Sequence, residues 1–122
     1  MNNETFENYM DRIDSMRDDA SNGDAVESLI YECSKFILNN SELAEPTEKI
    51  TKFTQLSSMA RWAQFEDDYR AVEIAQNIID RAIEIAVSTK SEIALNELLD
   101  ELENNLELDD RADEVREIIA NL

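Results

Sequence analysis

Glycine occurs once in this chain, at Gly23, and proline once, at Pro46. Sheets and hairpins place Gly, Asn-Gly or Pro at their corners, and 122 residues folded that way would need many more of both. Helices need neither inside and at most one at an end. The chain is therefore confined to helices, and the spacing of its apolar residues agrees. A first helix is expected over about residues 4–19, with Phe6, Tyr9, Met10, Ile13 and Met16 on its apolar side. The run Asp19 to Asp24 breaks it, with Gly23 free to take a positive φ. Asp24 and Glu27 form a capping box for a second helix with the stripe Val26, Leu29, Ile30, Cys33, Phe36 and Ile37. Pro46 is preorganised for the first turn of a third helix carrying Ile50, Phe53, Leu56, Met59, Ala60 and Ala63.

Glu66-Asp67-Asp68 is the best break before a fourth helix, about 68–88, although the third and fourth would also read as one bent helix. This segment is apolar over most of its circumference, so it belongs at the centre of the fold. Thr89 and Glu92 make a second capping box. Leu95, Leu99, Leu102 and Leu106 then follow at coiled-coil steps of 4, 3 and 4, a seam suited to self-association into a homodimer. Asp109-Asp110 opens a short last helix with Val115, Ile118, Ile119 and Leu122. The expected fold is all-α: a compact single-domain bundle of about five to six helices over residues 1–122, with helical hairpins around the apolar helix 68–88. Apolar residues make up 43% of the chain, enough for a core. The window SMARWAQFEDDYRAVEIAQNIIDRAIEIA resembles a tetratricopeptide hairpin in its Ala-rich second helix and Asp-Tyr turn. The Gly before that turn and a second copy 34 residues away are both missing, so the resemblance implies helical-hairpin packing and no binding residues.

The charge is −18, from 29 acids and 11 bases, and it is uneven. Residues 1–40 carry 9 acids and 3 bases, residues 41–90 carry 9 and 6, and residues 91–122 carry 11 and 2. The expectation is that the two acidic ends come together into one negative surface. Such a chain repels nucleic acid and anionic lipid directly and attracts basic surfaces. The bases Lys49, Lys52, Arg61, Arg70, Arg81 and Lys90 are spread among nine acids and give no basic patch. Trp62 and Tyr69 are aromatic anchors for a core edge or an interface. No apolar run is long enough to span a membrane, the first residues do not read as a signal peptide, and the single Cys33 has no internal disulfide partner; the expected location is cytoplasmic.

The chemistry of catalysis is thin. There is no His, which removes the commonest general base and transition-metal ligand. One Cys cannot build a zinc or iron–sulfur site, and Cys33 on an apolar stripe reads as an inert buried thiol. The segment from Asp18 to Gly23 has part of a calcium loop, but Ala20 and Leu29 stand where ligands belong. The pairs Glu4/Glu7, Glu42/Glu45, Glu45/Glu48 and Glu97/Asp100 have the spacing of helical Mg²⁺ motifs without a partner motif to complete them. The expectation is a non-enzymatic protein with no cofactor and no metal.

One pattern remains. Glu4, Glu7, Asp11, Asp14 and Asp18 stand at steps of 3, 4, 3 and 4. At a helical 100° per residue they lie within an arc of about 80° and form a file about 21 Å long. Like charges at these spacings cost a helix a few tenths of a kcal/mol per pair, so the file calls for another use. Its spacing is close to that of phosphates along a nucleic-acid strand, and basic nucleic-acid-binding grooves are arranged to take such charges. The acids Glu97, Asp100, Glu101, Glu107 and Asp110 extend the acidic surface. In composition the chain resembles phage-encoded nucleic-acid mimics that block restriction or CRISPR enzymes, and bacterial immunity proteins that cap basic nucleases. The resemblance implies an acidic inhibitor whose partner is a basic, nucleic-acid-binding protein. The alternative is a structural or adaptor domain that acts through apolar faces and the leucine seam.

Overall fold

A computed structural model describes residues 5–40, 45–67 and 69–122. Most of them lie in six helices: α1 Phe6–Met16, α2 Gly23–Asn39, α3 Pro46–Arg61, α4 Arg70–Ser88, α5 Glu92–Asn104 and α6 Asp109–Ala120. No strand occurs among the described residues. The all-α bundle is as the periodicity requires, and α3 and α4 are separate helices. One buried core draws side chains from all six, and α4 supplies the largest share with Ala71, Ile74, Ala75, Ile78, Ile79, Ala82, Ile83 and Ala86. Small residues let α3 approach α4 closely. The buried Ser57 hydroxyl donates to the Ala75 carbonyl at 2.7 Å, so its burial leaves no polar group unpaired.

Local hydrogen bonding sets the ends. Thr5 caps α1 by accepting from the Asn8 amide at 3.2 Å. The helix stops at Met16, its last apolar residue and short of the expected end near residue 19. The Asp19 carboxylate accepts from both the backbone amide and the hydroxyl of Ser21, at 2.9 and 2.7 Å, and the Asn22 side-chain Nδ2 donates to the Met16 carbonyl at 3.2 Å. These short polar side chains offer the backbone an alternative to the helix, and a single 3₁₀ turn, residues 20–22, results. The two bonds from Ser21 also hold the Asp19 carboxyl below its ordinary pKa.

Gly23 has φ −50°, an ordinary helical value, so no positive φ is needed there. The reason for glycine is space: a Cβ at Gly23 would stand 3.0 Å from Phe65 Cδ1. The expected capping box is not formed either. Asp24 and Glu27 both turn to Arg70 at the start of α4, whose guanidinium meets Asp24 at 2.8 Å and Glu27 through Nε at 2.9 Å and through Nη2. Arg70 also lies 5.3 Å from the Phe65 ring. The pair of acids raises the Arg70 pKa further above its ordinary value. Pro46 does stand in the first turn of α3. At the other capping site Thr89 closes α4, donating back to the Ile85 carbonyl at 3.0 Å, while Ser91 caps α5 by accepting from the Ala94 amide at 3.2 Å. Asp68, the last residue of the break expected before α4, lies outside the described residues.

The leucine seam is turned inward. Leu95, Leu102 and Leu106 are fully buried, and Leu99 is half-buried against the same core. Their partners are inside the bundle, where α5 packs on α6 and α4, so they offer no seam to a second copy. Arg111 of α6 closes this half by reaching Asp80 of α4 with two bonds, at 2.7 and 3.2 Å. No helix among the described residues is long and apolar enough to cross a membrane.

Candidate functional site

The acids of α1 are less free than their spacing suggests. Glu7 lies 3.8 Å from Lys52 Nζ of α3. Asp14 lies 3.0 Å and Asp18 4.0 Å from Arg17 Nε, so Arg17 runs along the acidic file and does not project away from it. That Nε makes no hydrogen bond despite the short approach, so the contact is ionic in character. Asp11 is exposed and has no ion pair among the described residues. Glu4 lies outside the described residues.

The last two helices differ. Arg111 is taken by Asp80 and Glu114, and Arg116 by Glu103 and Asp113. Of the 11 acids in residues 91–122, that leaves eight with no ion pair among the described residues: Glu92, Glu97, Asp100, Glu101, Glu107, Asp109, Asp110 and Glu117. Asp109 and Asp110 sit in the first turn of α6, where the helix dipole favours them. Glu107 sits on the α5–α6 turn with φ 53°, in the left-handed region. Glu101 is in the last turn of α5, and Asp100 in the residue before it, where the dipole opposes negative charge and no base lies in the turn.

Glu97, Asp100 and Glu101 are brought together. They form one wall of an open groove of about 720 Å³ between α3 and α5. Buried Ile50 and Leu98 contribute to its lining, and α3 supplies Thr51, Thr54, Gln55 and Ser58 opposite the acids. No Lys or Arg lines it. Two amides fix the carboxylates without neutralising them: Asn104 donates to Asp100 at 2.7 Å, and Asn105 donates to Glu101 at 2.9 Å. Asn105 also reaches the Ser58 hydroxyl across the groove at 3.4 Å. A negative, open groove with hydroxyl and amide groups along it suits a cationic ligand carrying several donors.

The ten acids singled out by sequence therefore fall into separate places. Glu97, Asp100 and Glu101 share the groove; Glu107 and Asp110 lie beyond it around the turn into α6. Glu7, Asp11 and Asp14 are on α1, and Asp18 lies in the turn that follows it. Both α1 and α5 pack on α3, so the two acidic ends flank one helix and do not pack on each other as a single surface. Sequence reasoning missed the α3 wall, although Thr51, Gln55 and Ser58 stand at steps of 4 and 3 and were visible as a polar stripe. Among the described residues no group of three or more acids or thiols is disposed to hold a metal ion. Cys33 is buried, and desolvation pushes its thiol up to about 12.

No family model, curated protein or solved structure matches the chain. What fold and site define together is an all-α acidic domain with a carboxylate-walled groove.

Proposed function

We propose that this protein is a non-enzymatic acidic interaction domain that binds a basic protein. Its sharpest form is an inhibitor that mimics nucleic acid, of the anti-restriction, anti-CRISPR or nuclease-immunity kind, and fills a groove built for phosphates. The observation that carries the reading is the set of eight carboxylates on α5, α6 and the turn between them with no ion pair among the described residues. Charge kept unpaired at this density raises self-repulsion, and attraction of a basic partner is a use that offsets that cost. At the other end of the chain only Asp11 and the weakly held Glu7 on α1, and Asp18 in the turn after it, support the same use. The test is capture of partners from lysate by the tagged protein at ~50 and ~300 mM salt, with DNA as competitor. A basic nucleic-acid-binding protein held at low salt, released at high salt and displaced by DNA is the expected result. A partner that survives ~300 mM salt and ignores DNA would refute the reading.

A further inference from the structure

We propose that the cleft between α2 and α4 is a binding site for a small neutral polyol, of the size and chemistry of a single sugar ring. Tyr31 and Ser34 line it from α2, and Asn77, Asp80, Arg81 and Glu84 line it from one edge of α4, beside the buried Ile78. The Asn77 side-chain amide donates to the Tyr31 hydroxyl at 3.0 Å and bridges the two helices. Ser34 is the group that calls for an occupant. It is only 6% exposed, and its hydroxyl makes no hydrogen bond among the described residues. Hydroxyls elsewhere in the helices return to the carbonyl one turn back: Thr51 donates to Thr47 at 2.9 Å and Thr54 to Ile50 at 2.8 Å. The other buried serine, Ser57, donates across to Ala75. Ser34 does neither and lines the cleft. A hydroxyl buried without a partner costs free energy that a ligand bonded to it recovers.

The groups around Ser34 choose the class of occupant. The cleft has a volume of about 260 Å³, below the ~300–1,000 Å³ of pockets for drug-sized ligands, so it takes one small ring. Its charges are matched in place. Arg111 gives two bonds to Asp80, at 2.7 and 3.2 Å, and Arg81 lies 3.4 Å from Glu84. An anion would meet two carboxylates, and a cation would compete with two guanidiniums already seated on them, so a neutral molecule is favoured. The hydrogen-bonding capacity left over is mixed. Ser34 can donate and accept, Tyr31 keeps its own O–H to donate after accepting from Asn77, and the Asn77 carbonyl is left to accept. A polyol fits such a set, because each of its hydroxyls both gives and takes a bond. Ile78 and the Tyr31 ring supply apolar surface for its C–H groups. The cleft shares no residue with the acids of α5 and α6 that are proposed to meet a basic partner.

The test uses the intact protein with myo-inositol and glucose as probes at ~1–10 mM. Binding is read by saturation transfer from the protein to the C–H groups of the probe, and by titration of the Asn77 side-chain amide NMR signal. A rise in melting temperature alone is not the readout, because excluded polyols stabilise any folded protein. We expect at least one probe to receive saturation and to move the Asn77 signal. Ser34→Ala should melt no lower than the wild type, since that hydroxyl has no partner to lose, and should weaken binding about fivefold. Tyr31→Phe should weaken it by a similar factor. Glu84→Gln should change it by no more than about twofold, because charge does not hold the ligand. If neither probe receives saturation or moves the Asn77 signal, the site is overturned and water is the partner of Ser34. Equal binding by the wild type and Ser34→Ala would overturn its placement in this cleft. Glycine or inorganic phosphate binding more tightly than both polyols would overturn the neutral class.

Discussion

Replacing the groove carboxylates by amides should make the protein more stable and less able to bind. In the variant combining Glu97→Gln, Asp100→Asn and Glu101→Gln, shape and hydrogen-bond acceptors are kept, so the bonds from Asn104 and Asn105 survive. Three repulsive pairs disappear, Glu97/Asp100 and Asp100/Glu103 at i,i+3 and Glu97/Glu101 at i,i+4, which together relieve about 0.6–1.5 kcal/mol. Removing the Glu101 charge from the last turn of α5 relieves a further ~0.3–1 kcal/mol of unfavourable dipole interaction. The total, about 0.9–2.5 kcal/mol, raises Tm by roughly 3–10 °C for a chain of this length. Urea denaturation and a thermal melt followed by circular dichroism would read the change. The gain should shrink in ~0.5 M salt, because both contributions are between exposed charges and are screened. A fall in stability would refute the reasoning, since it would mean that the three carboxylates hold the fold together and are not kept for a partner.

Other outcomes follow from the same coordinates. Leu102→Ala should cost about 2–5 kcal/mol in urea denaturation and leave the sedimentation coefficient unchanged, whereas loss of a dimer with little loss of stability would place that seam outside the core. Arg111→Met should cost about 1–2 kcal/mol, between the limits for exposed and buried ion pairs, and adding Asp80→Asn should recover much of it; no recovery would show that the two residues do not act as a pair. Ellman's reagent should not react with native Cys33 at neutral pH. Because burial raises its thiol from 9.0 to about 12, the folded state holds that proton longer than the unfolded chain; this stability is complete below pH 9 and is lost as pH rises toward 12, and Cys33→Ala should flatten that part of the decline. Added NaCl should raise the melting temperature by screening a net charge of −18, and a flat response would contradict the self-repulsion argument.

Helix number and the inward stripes were legible because they depend on local periodicity, and α4 stands at the centre as its wide apolar arc requires. What sequence did not disclose are pairings across the fold. Asp24 and Glu27 have capping spacing, yet Arg70, more than forty residues away, takes both. Gly23 looks like a turn glycine, and its cause is the ring of Phe65. The leucines of α5 have the spacing of a seam, and spacing does not distinguish a second chain from α4 and α6. The acid file expected along one helix is cut short, because α1 ends at Met16 and leaves Asp18 in the turn beyond it, and Lys52 comes to Glu7 from α3. The groove itself exists only because α5 lies beside α3, so its three acids could be named in the sequence and not brought together there.

The most direct measurement is the affinity of a captured basic partner across a salt series, by isothermal titration with the wild-type protein and with the groove variant. An acidic surface that binds by charge predicts a linear fall of log affinity with log salt, by at least about tenfold between ~50 and ~300 mM, and a shallower slope for the groove variant. An affinity that is flat across the series and equal for the two proteins would contradict the account and move the function to exposed apolar side chains such as Trp62 and Tyr69.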